Sequence, residues 1–172
     1  MGDLKSDDFS IVDISTGKWL GDRKPSKEIP MHAAIYKRRI DANVIIHSSP
    51  FWSTLLASSN IQLDSELFIE SMYYVENAAY VNYQQPGSVA LGDAVFKACG
   101  TSEIVILKNH GVLVYDDSVK EARMRIETLE MTSRMIITAA SAGIPLRKLD
   151  QSTVTDFLDN SGYKPRKIRK VK

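Results

Sequence analysis

The sequence predicts a mixed α/β domain, and three observations carry that expectation. Two apolar runs, Ile104-Val105-Ile106-Leu107 and Gly111-Val112-Leu113-Val114-Tyr115, show almost no alternation with polar residues, the pattern of strands covered on both faces. Between Ser118 and Gly143 the apolar residues Val119, Ala122, Ile126, Leu129, Ile136 and Ala140 keep the three-to-four spacing of a helix. A chain of 172 residues with 44% hydrophobic and 25% charged residues buries about 70% of the surface it exposes when unfolded, enough for one core without disulfides.

The elements follow in order. Phe9, Ile11 and Ile14 form a strand-like run, Thr16-Gly17 signals a turn, and Lys18-Trp19-Leu20 returns as the second arm of a hairpin. Ser26, able to cap, and Pro30, tolerated in a first turn, announce a helix running to about Arg39. Val44-Ile45-Ile46-His47 is a short strand that ends at Ser48-Ser49-Pro50, and Phe51 to Ala57 reads as a helix. Asp64 to about Met72 is expected as a helix, Ala78 to Tyr83 as a strand, and Pro86-Gly87-Ser88 introduces a helix that ends near Gly100. After the two apolar strands, Ser118-Val-Lys-Glu121 reads as a capping box opening the longest helix. A short helix around Ser152 to Leu158 precedes the C-terminus. The organisation expected is a single domain over 1–163 followed by a basic tail over 164–172.

Charge and cysteine usage narrow the function classes. The net charge of +1 hides an asymmetry, because six of the 22 basic residues fall in the last nine positions, leaving 16 basic against 21 acidic residues, a net −5, over 1–163. A basic run this short reads as a frayed, solubilising terminus, so nucleic-acid binding is not inferred from it. No apolar run approaches the roughly 20 residues that span a bilayer, and the chain does not open on a basic segment followed by an apolar one. The single Cys99 excludes an internal disulfide and a multi-cysteine zinc site, and it suits the cytoplasm.

Short catalytic signatures are missing: there is no P-loop, dinucleotide fingerprint, His-Glu-x-x-His or Gly-x-Ser-x-Gly. What remains is three histidines. His47 and His110 sit at the ends of buried strands, where rigid elements can aim side chains into one crevice, and His32 falls at helical spacing from Glu28 along one side of the same helix. Neutral imidazoles are good zinc ligands, and a carboxylate such as Glu28 can complete a site or act as a general base. By spacing alone, three hydrogen-bonded structural histidines remain the alternative.

Three blocks shift that balance. Pro25-Ser26-Lys27-Glu28 followed by Met31-His32-Ala33-Ala34-Ile35-Tyr36, then Val44 to Pro50, then Lys108-Asn109-His110-Gly111-Val112, resemble in order and spacing the class II aldolase/adducin family of fuculose- and ribulose-phosphate-type proteins. The resemblance runs from about Asp8 to Gly143. It implies a three-layer α/β/α fold with a central, largely antiparallel sheet, and homo-oligomers, often ring-like tetramers, with active sites between subunits.

Residue by residue, the resemblance implies a divalent metal, usually Zn²⁺, held by a strand-end His-x-His pair and by the His of the Asn-His-Gly block. These positions hold His47, Ser49 and His110 here, so the middle imidazole is absent. Glu28 takes the position of the family's catalytic acid/base, Ser26 that of a residue holding the substrate phosphate, and Lys27 replaces a second phosphate-site residue that is often serine. The family's opening helix and Gly-Asn-x-Ser phosphate loop have no counterpart ahead of Gly2. His32 is expected to hydrogen-bond near Glu28, and Tyr73, Tyr74, Tyr80 and Tyr83 read as packing aromatics, with none assigned as a catalytic tyrosine. The function implied is a metal-dependent aldolase-type lyase acting on a small sugar phosphate. The alternative is a non-catalytic, adducin-like binding or assembly module that keeps the fold.

Overall fold

The computed structural model describes residues 5–172; residues 1–4, Gly2 and Asp3 among them, lie outside the described residues. A four-stranded sheet organises the chain, built from β3 (Val44–Ser48), β4 (Ala78–Val81), β5 (Ile104–Leu107) and β6 (Gly111–Asp116) in the order β3-β6-β5-β4. β3 and β5 both pair antiparallel with β6, and β4 pairs parallel with β5, so the sheet is largely antiparallel as expected. The N-terminal hairpin of β1 (Ile11–Val12) and β2 (Trp19–Leu20) forms a separate two-stranded sheet.

The unbroken apolar runs of β5 and β6 feed two cores, because successive side chains point to opposite faces. Ile104, Ile106, Val112 and Val114 join Leu56 of α2 (Phe51–Ala57), Tyr74 of α3 (Ile69–Tyr74), Leu129 of α5 (Val119–Ala142) and Leu158 of α6 (Gln151–Asn160). Val105, Leu107, Leu113 and Tyr115 join Met31 and Ile35 of α1 (Ile29–Arg38) and Leu91 and Val95 of α4 (Val89–Ala98). Helices therefore cover both faces, giving the three layers. α1 and α4 meet closely because Gly92 has no side chain; a Cβ there would sit 3.2 Å from the Pro30 carbonyl oxygen.

Three local expectations change. Residues 64–68 are not helical, and α3 begins only at Ile69, where Ser71 Oγ accepts the Phe68 N–H at 3.0 Å and so fixes a late start. At α5, Ser118 Oγ accepts the Glu121 N–H at 3.3 Å, but the Glu121 carboxylate takes Lys164 and the Tyr74 hydroxyl instead of closing the capping box. The basic C-terminus does not fray. Lys164 pairs with Glu121 at 2.9 Å, Arg166 with Asp159 at 2.7 Å, Lys167 with Asp116 and Asp117, and Arg169 with Glu103 at 2.5 Å. Main-chain bonds from Ile40 to Lys170 and from Lys172 to Arg38 fasten it further. Four of the six basic residues in that run are paired with carboxylates, Lys167 and Arg169 at the sheet end where β3 begins and β6 stops.

Candidate metal centre

At the opposite end of the sheet three segments converge. Glu28 caps the start of α1, and its N–H is held by Ser26 Oγ at 3.2 Å. His47 is the fourth residue of β3, on the α1 side of the sheet. His110 sits in the turn joining β5 to β6, where Asn109 adopts φ 58° and reverses the chain, a conformation asparagine tolerates better than most residues. Glu28 Oε2 lies 3.6 Å from His47 Nε2 and 3.5 Å from His110 Nε2, and the three donor atoms all lie within 4.8 Å of one another. The side chains are 13% exposed for Glu28 and 17% for each histidine, which leaves an opening without free access to water.

The tautomer of His47 follows from its partner. Nδ1 lies 3.0 Å from the Val112 carbonyl oxygen, which can only accept, so Nδ1 carries the proton and Nε2 turns a lone pair toward Glu28. Burial lowers the His47 pKa, the neighbouring His110 lowers it further, and the Val112 bond opposes the shift. His32 is lowered for the same leading reason, burial, with His47 adding to it and Glu28 opposing. At neutral pH His47 is therefore an uncharged imidazole, not an imidazolium balancing Glu28.

The Glu28 carboxylate then stands out. Its Oε2 is buried and receives no hydrogen bond. A buried carboxylate oxygen left without a donor is costly, and native proteins rarely leave one so. A divalent cation between the three atoms would satisfy it, and two imidazole nitrogens with one carboxylate oxygen are a donor set suited to zinc and similar ions. Tetrahedral zinc at bond lengths of about 2.0–2.1 Å spaces its ligands roughly 3.3 Å apart, close to the separations that Glu28 makes with both rings.

Comparison with known proteins bears on the same residues. The family described as Class II Aldolase and Adducin N-terminal domain matches residues 1–137, a span that holds all three donors. The chain belongs to the class II aldolase and adducin family. It is 31% identical over 137 residues to an L-fuculose phosphate aldolase of Methanocaldococcus jannaschii, covering 80% of this chain and 73% of that protein. It is 30% identical over 166 residues to a 3-oxo-tetronate 4-phosphate decarboxylase of Haemophilus influenzae, covering 94% of this chain and 77% of that protein. The crystal structure of YgbL from Klebsiella pneumoniae superposes with a TM-score of 0.78 at 28% identity, covering 91% of this chain and 76% of that one.

As a class II aldolase relative, the chain brings together Glu28, His47 and His110, which lie far apart in sequence. Ser49, in the middle-ligand position, does not join them: its Oγ donates to the His110 carbonyl oxygen at 3.1 Å. His32 forms no hydrogen bond with Glu28 and instead sets its ring edge-on to His47, with centroids 6.3 Å apart. Ser26 and Lys27 are exposed beside Glu28, and Gly87 lies against Lys27 so closely that a Cβ would meet its carbonyl oxygen at 2.9 Å. Tyr73, Tyr74 and Tyr80 spend their hydroxyls on Pro165, Glu121 and Leu63, while Tyr83 is 56% exposed.

Sequence reasoning missed Glu130, whose carboxylate accepts the Trp52 and Ser53 N–H groups at 2.8 Å and the Ser53 hydroxyl at 2.7 Å. It anchors the start of α2 directly after the Ser48-Ser49-Pro50 corner. No local pattern announces it, because its partners are 77 and 78 residues away.

Proposed function

We propose that this protein is a divalent-metal-dependent, aldolase-type lyase acting on a small sugar phosphate. The observation that carries the reading is the Glu28 carboxylate, buried, without a hydrogen bond, and facing two imidazole nitrogens at 3.5 and 3.6 Å. His47, His110 and Glu28 are the residues that would hold the ion, and zinc is the ion favoured by that donor set. When bound, the ion supplies Lewis-acid polarisation of the substrate's carbonyl and neighbouring hydroxyl oxygens.

The chain's own groups do the rest. His47, fixed through Nδ1 by Val112, keeps its ring oriented while the other nitrogen faces the site. Glu28 is the acid/base. In cleavage Glu28 takes the proton of the substrate hydroxyl as that oxygen becomes the carbonyl of the released aldehyde, the carbon–carbon bond breaks with its electron pair passing to the enediolate, and Glu28 returns the proton to the carbon beside the carbonyl. Ser26 and Lys27, exposed at the rim, hold the phosphate, with Lys27 supplying the positive charge. The sites are completed by self-association of the chain into a homo-oligomer.

The match to the decarboxylase relative, over 166 residues and 94% of this chain, supports a neighbouring outcome, loss of CO₂ from a 3-oxo acid phosphate through the same enolate-type intermediate. Ser49, in place of a third imidazole, favours the second reading, an adducin-like module that binds without turnover. The deciding experiment is metal analysis of the purified protein, followed by assay of the chelator-treated and zinc-restored protein on ketose phosphates for aldehyde release and on 3-oxo acid phosphates for CO₂. Metal-dependent release of either product supports the lyase. A protein that takes up no divalent metal and releases neither product refutes it.

A further inference from the structure

We propose that Ser49 and Gly111 form a lock that sets the spacing between His47 and His110, letting this chain keep a three-donor site without a third imidazole. The inference rests on the metal reading above and concerns what Ser49 does in place of ligating. The β3–β6 register pairs His47 with Leu113 and Ser48 with Val112, so one step further Ser49 falls opposite Gly111. A Cβ on Gly111 would lie 2.7 Å from the Ser48 carbonyl oxygen and 2.8 Å from Ser49 Oγ. Any side chain there would push the two strand ends apart. The missing Cβ leaves the room that the Ser49 hydroxyl uses to reach the His110 carbonyl at 3.1 Å.

The His110 backbone is thereby held on both sides. Its N–H donates to the Leu107 carbonyl at 3.0 Å, and the preceding Asn109 N–H donates to Ala57 at 3.1 Å, which ties the turn to β5 and to the end of α2. Ser49 secures the carbonyl side. From the other strand, the His47 ring donates to Val112 at 3.0 Å. Two hydrogen bonds flanking Gly111 thus join the segments that carry the two imidazoles. An imidazole at position 49 would be too bulky to sit on the Gly111 backbone in this way, so the serine makes a positioning contact where a histidine would make a ligating one. Ser49 is a positioning residue, since it touches a ligand's backbone and not the donor atoms.

The test uses the full chain, freed of metal, with Co²⁺ as the probe, read from its ligand-field absorption and by competition with a chelator. Ser49→Ala should weaken Co²⁺ binding about tenfold, the low end of what loss of a group orienting a metal ligand does. The Co²⁺ spectrum should change shape while the melting temperature of the metal-free protein falls by no more than about 2–4 °C, the shift expected for one lost hydrogen bond. Ser49→Thr, which keeps the hydroxyl, should restore both affinity and spectrum. In the metal-free protein, amide exchange at His110 and Gly111 should quicken in Ser49→Ala and recover in Ser49→Thr. Equal Co²⁺ affinity and spectrum in wild type and Ser49→Ala overturn the lock while leaving the metal site standing. Absence of Co²⁺ binding by the wild type removes the metal reading and the proposal with it. A loss in Ser49→Ala that Ser49→Thr fails to rescue also refutes the role given to the hydroxyl.

Discussion

Replacing Glu28 by Gln should move the stability of the metal-free protein and its metal affinity in opposite directions. Glu28 Oε2 is buried, accepts no hydrogen bond, and faces His47 Nε2 at 3.6 Å. Because Nδ1 of that ring is committed to Val112, Nε2 offers a lone pair to a carboxylate that also has only lone pairs. The glutamine amide removes the buried charge and can donate to that nitrogen, a gain of about 0.5–1.5 kcal/mol for one neutral hydrogen bond. Zinc binding through the Glu28, His47 and His110 group would lose its carboxylate donor and should weaken about tenfold or more, some 1.4 kcal/mol. Turnover should fall further, by about 10²- to 10⁴-fold, because the proton carrier is gone. Urea unfolding with chelator, repeated with zinc in excess, reads both quantities, since a ligand of the folded state adds stability in proportion to the logarithm of its saturation. A metal-free Glu28→Gln protein less stable than wild type by more than about 1 kcal/mol would refute the reasoning, since removing an ion pair with a charged imidazole costs stability.

Ser49→His should raise zinc affinity at least about tenfold if the new imidazole reaches the ion, even after the bond to His110, worth about 1 kcal/mol, is lost; titration calorimetry decides this, and an unchanged affinity would mean that position 49 does not face the site. Burial lowers the His32 and His47 pKa values below 6.5, so on acidification the unfolded chain takes up protons first; the metal-free protein should lose stability as pH falls below about 6.5, and urea midpoints flat between pH 7 and 5 would contradict the shifts. Arg125 is buried, bonds Asp116 Oδ2 at 2.8 and 3.2 Å and reaches the Tyr74 carbonyl, so Arg125→Met should cost about 3–5 kcal/mol in chemical unfolding by leaving Asp116 short of its partner. Light scattering at micromolar concentration should find self-association, with the same state in a chain ending at Tyr163. That shortened chain should nonetheless melt lower, because Asp116, Glu103 and Glu121 lose their Lys167, Arg169 and Lys164 partners; equal melting temperatures would show that the terminus adds nothing.

What the sequence determined by itself is whatever a short window encodes. The apolar runs of β5 and β6 announce strands covered twice, since no solvent face exists to require a polar alternate, and both faces prove to be core. Ser88, Ser118 and Gly143 mark helix ends because a cap bonds within three residues or a left-handed residue stops the helix where it stands. His47 and His110 were legible as strand-end residues for the same local reason, and the three sequence blocks carried the family. Only the tertiary structure decided what depends on groups distant along the chain. Glu130 reaches α2 across 77 residues, and the tail is fastened to Asp116, Glu103 and Glu121 from 43 to 66 residues away. A lysine- and arginine-rich run has the same composition whether it meets water or carboxylates, so its local sequence carries no sign of the difference. The exchange of ligand for lock at Ser49 likewise depends on which backbone lies opposite, and that backbone belongs to β6, more than 60 residues further along the chain and beyond any local window.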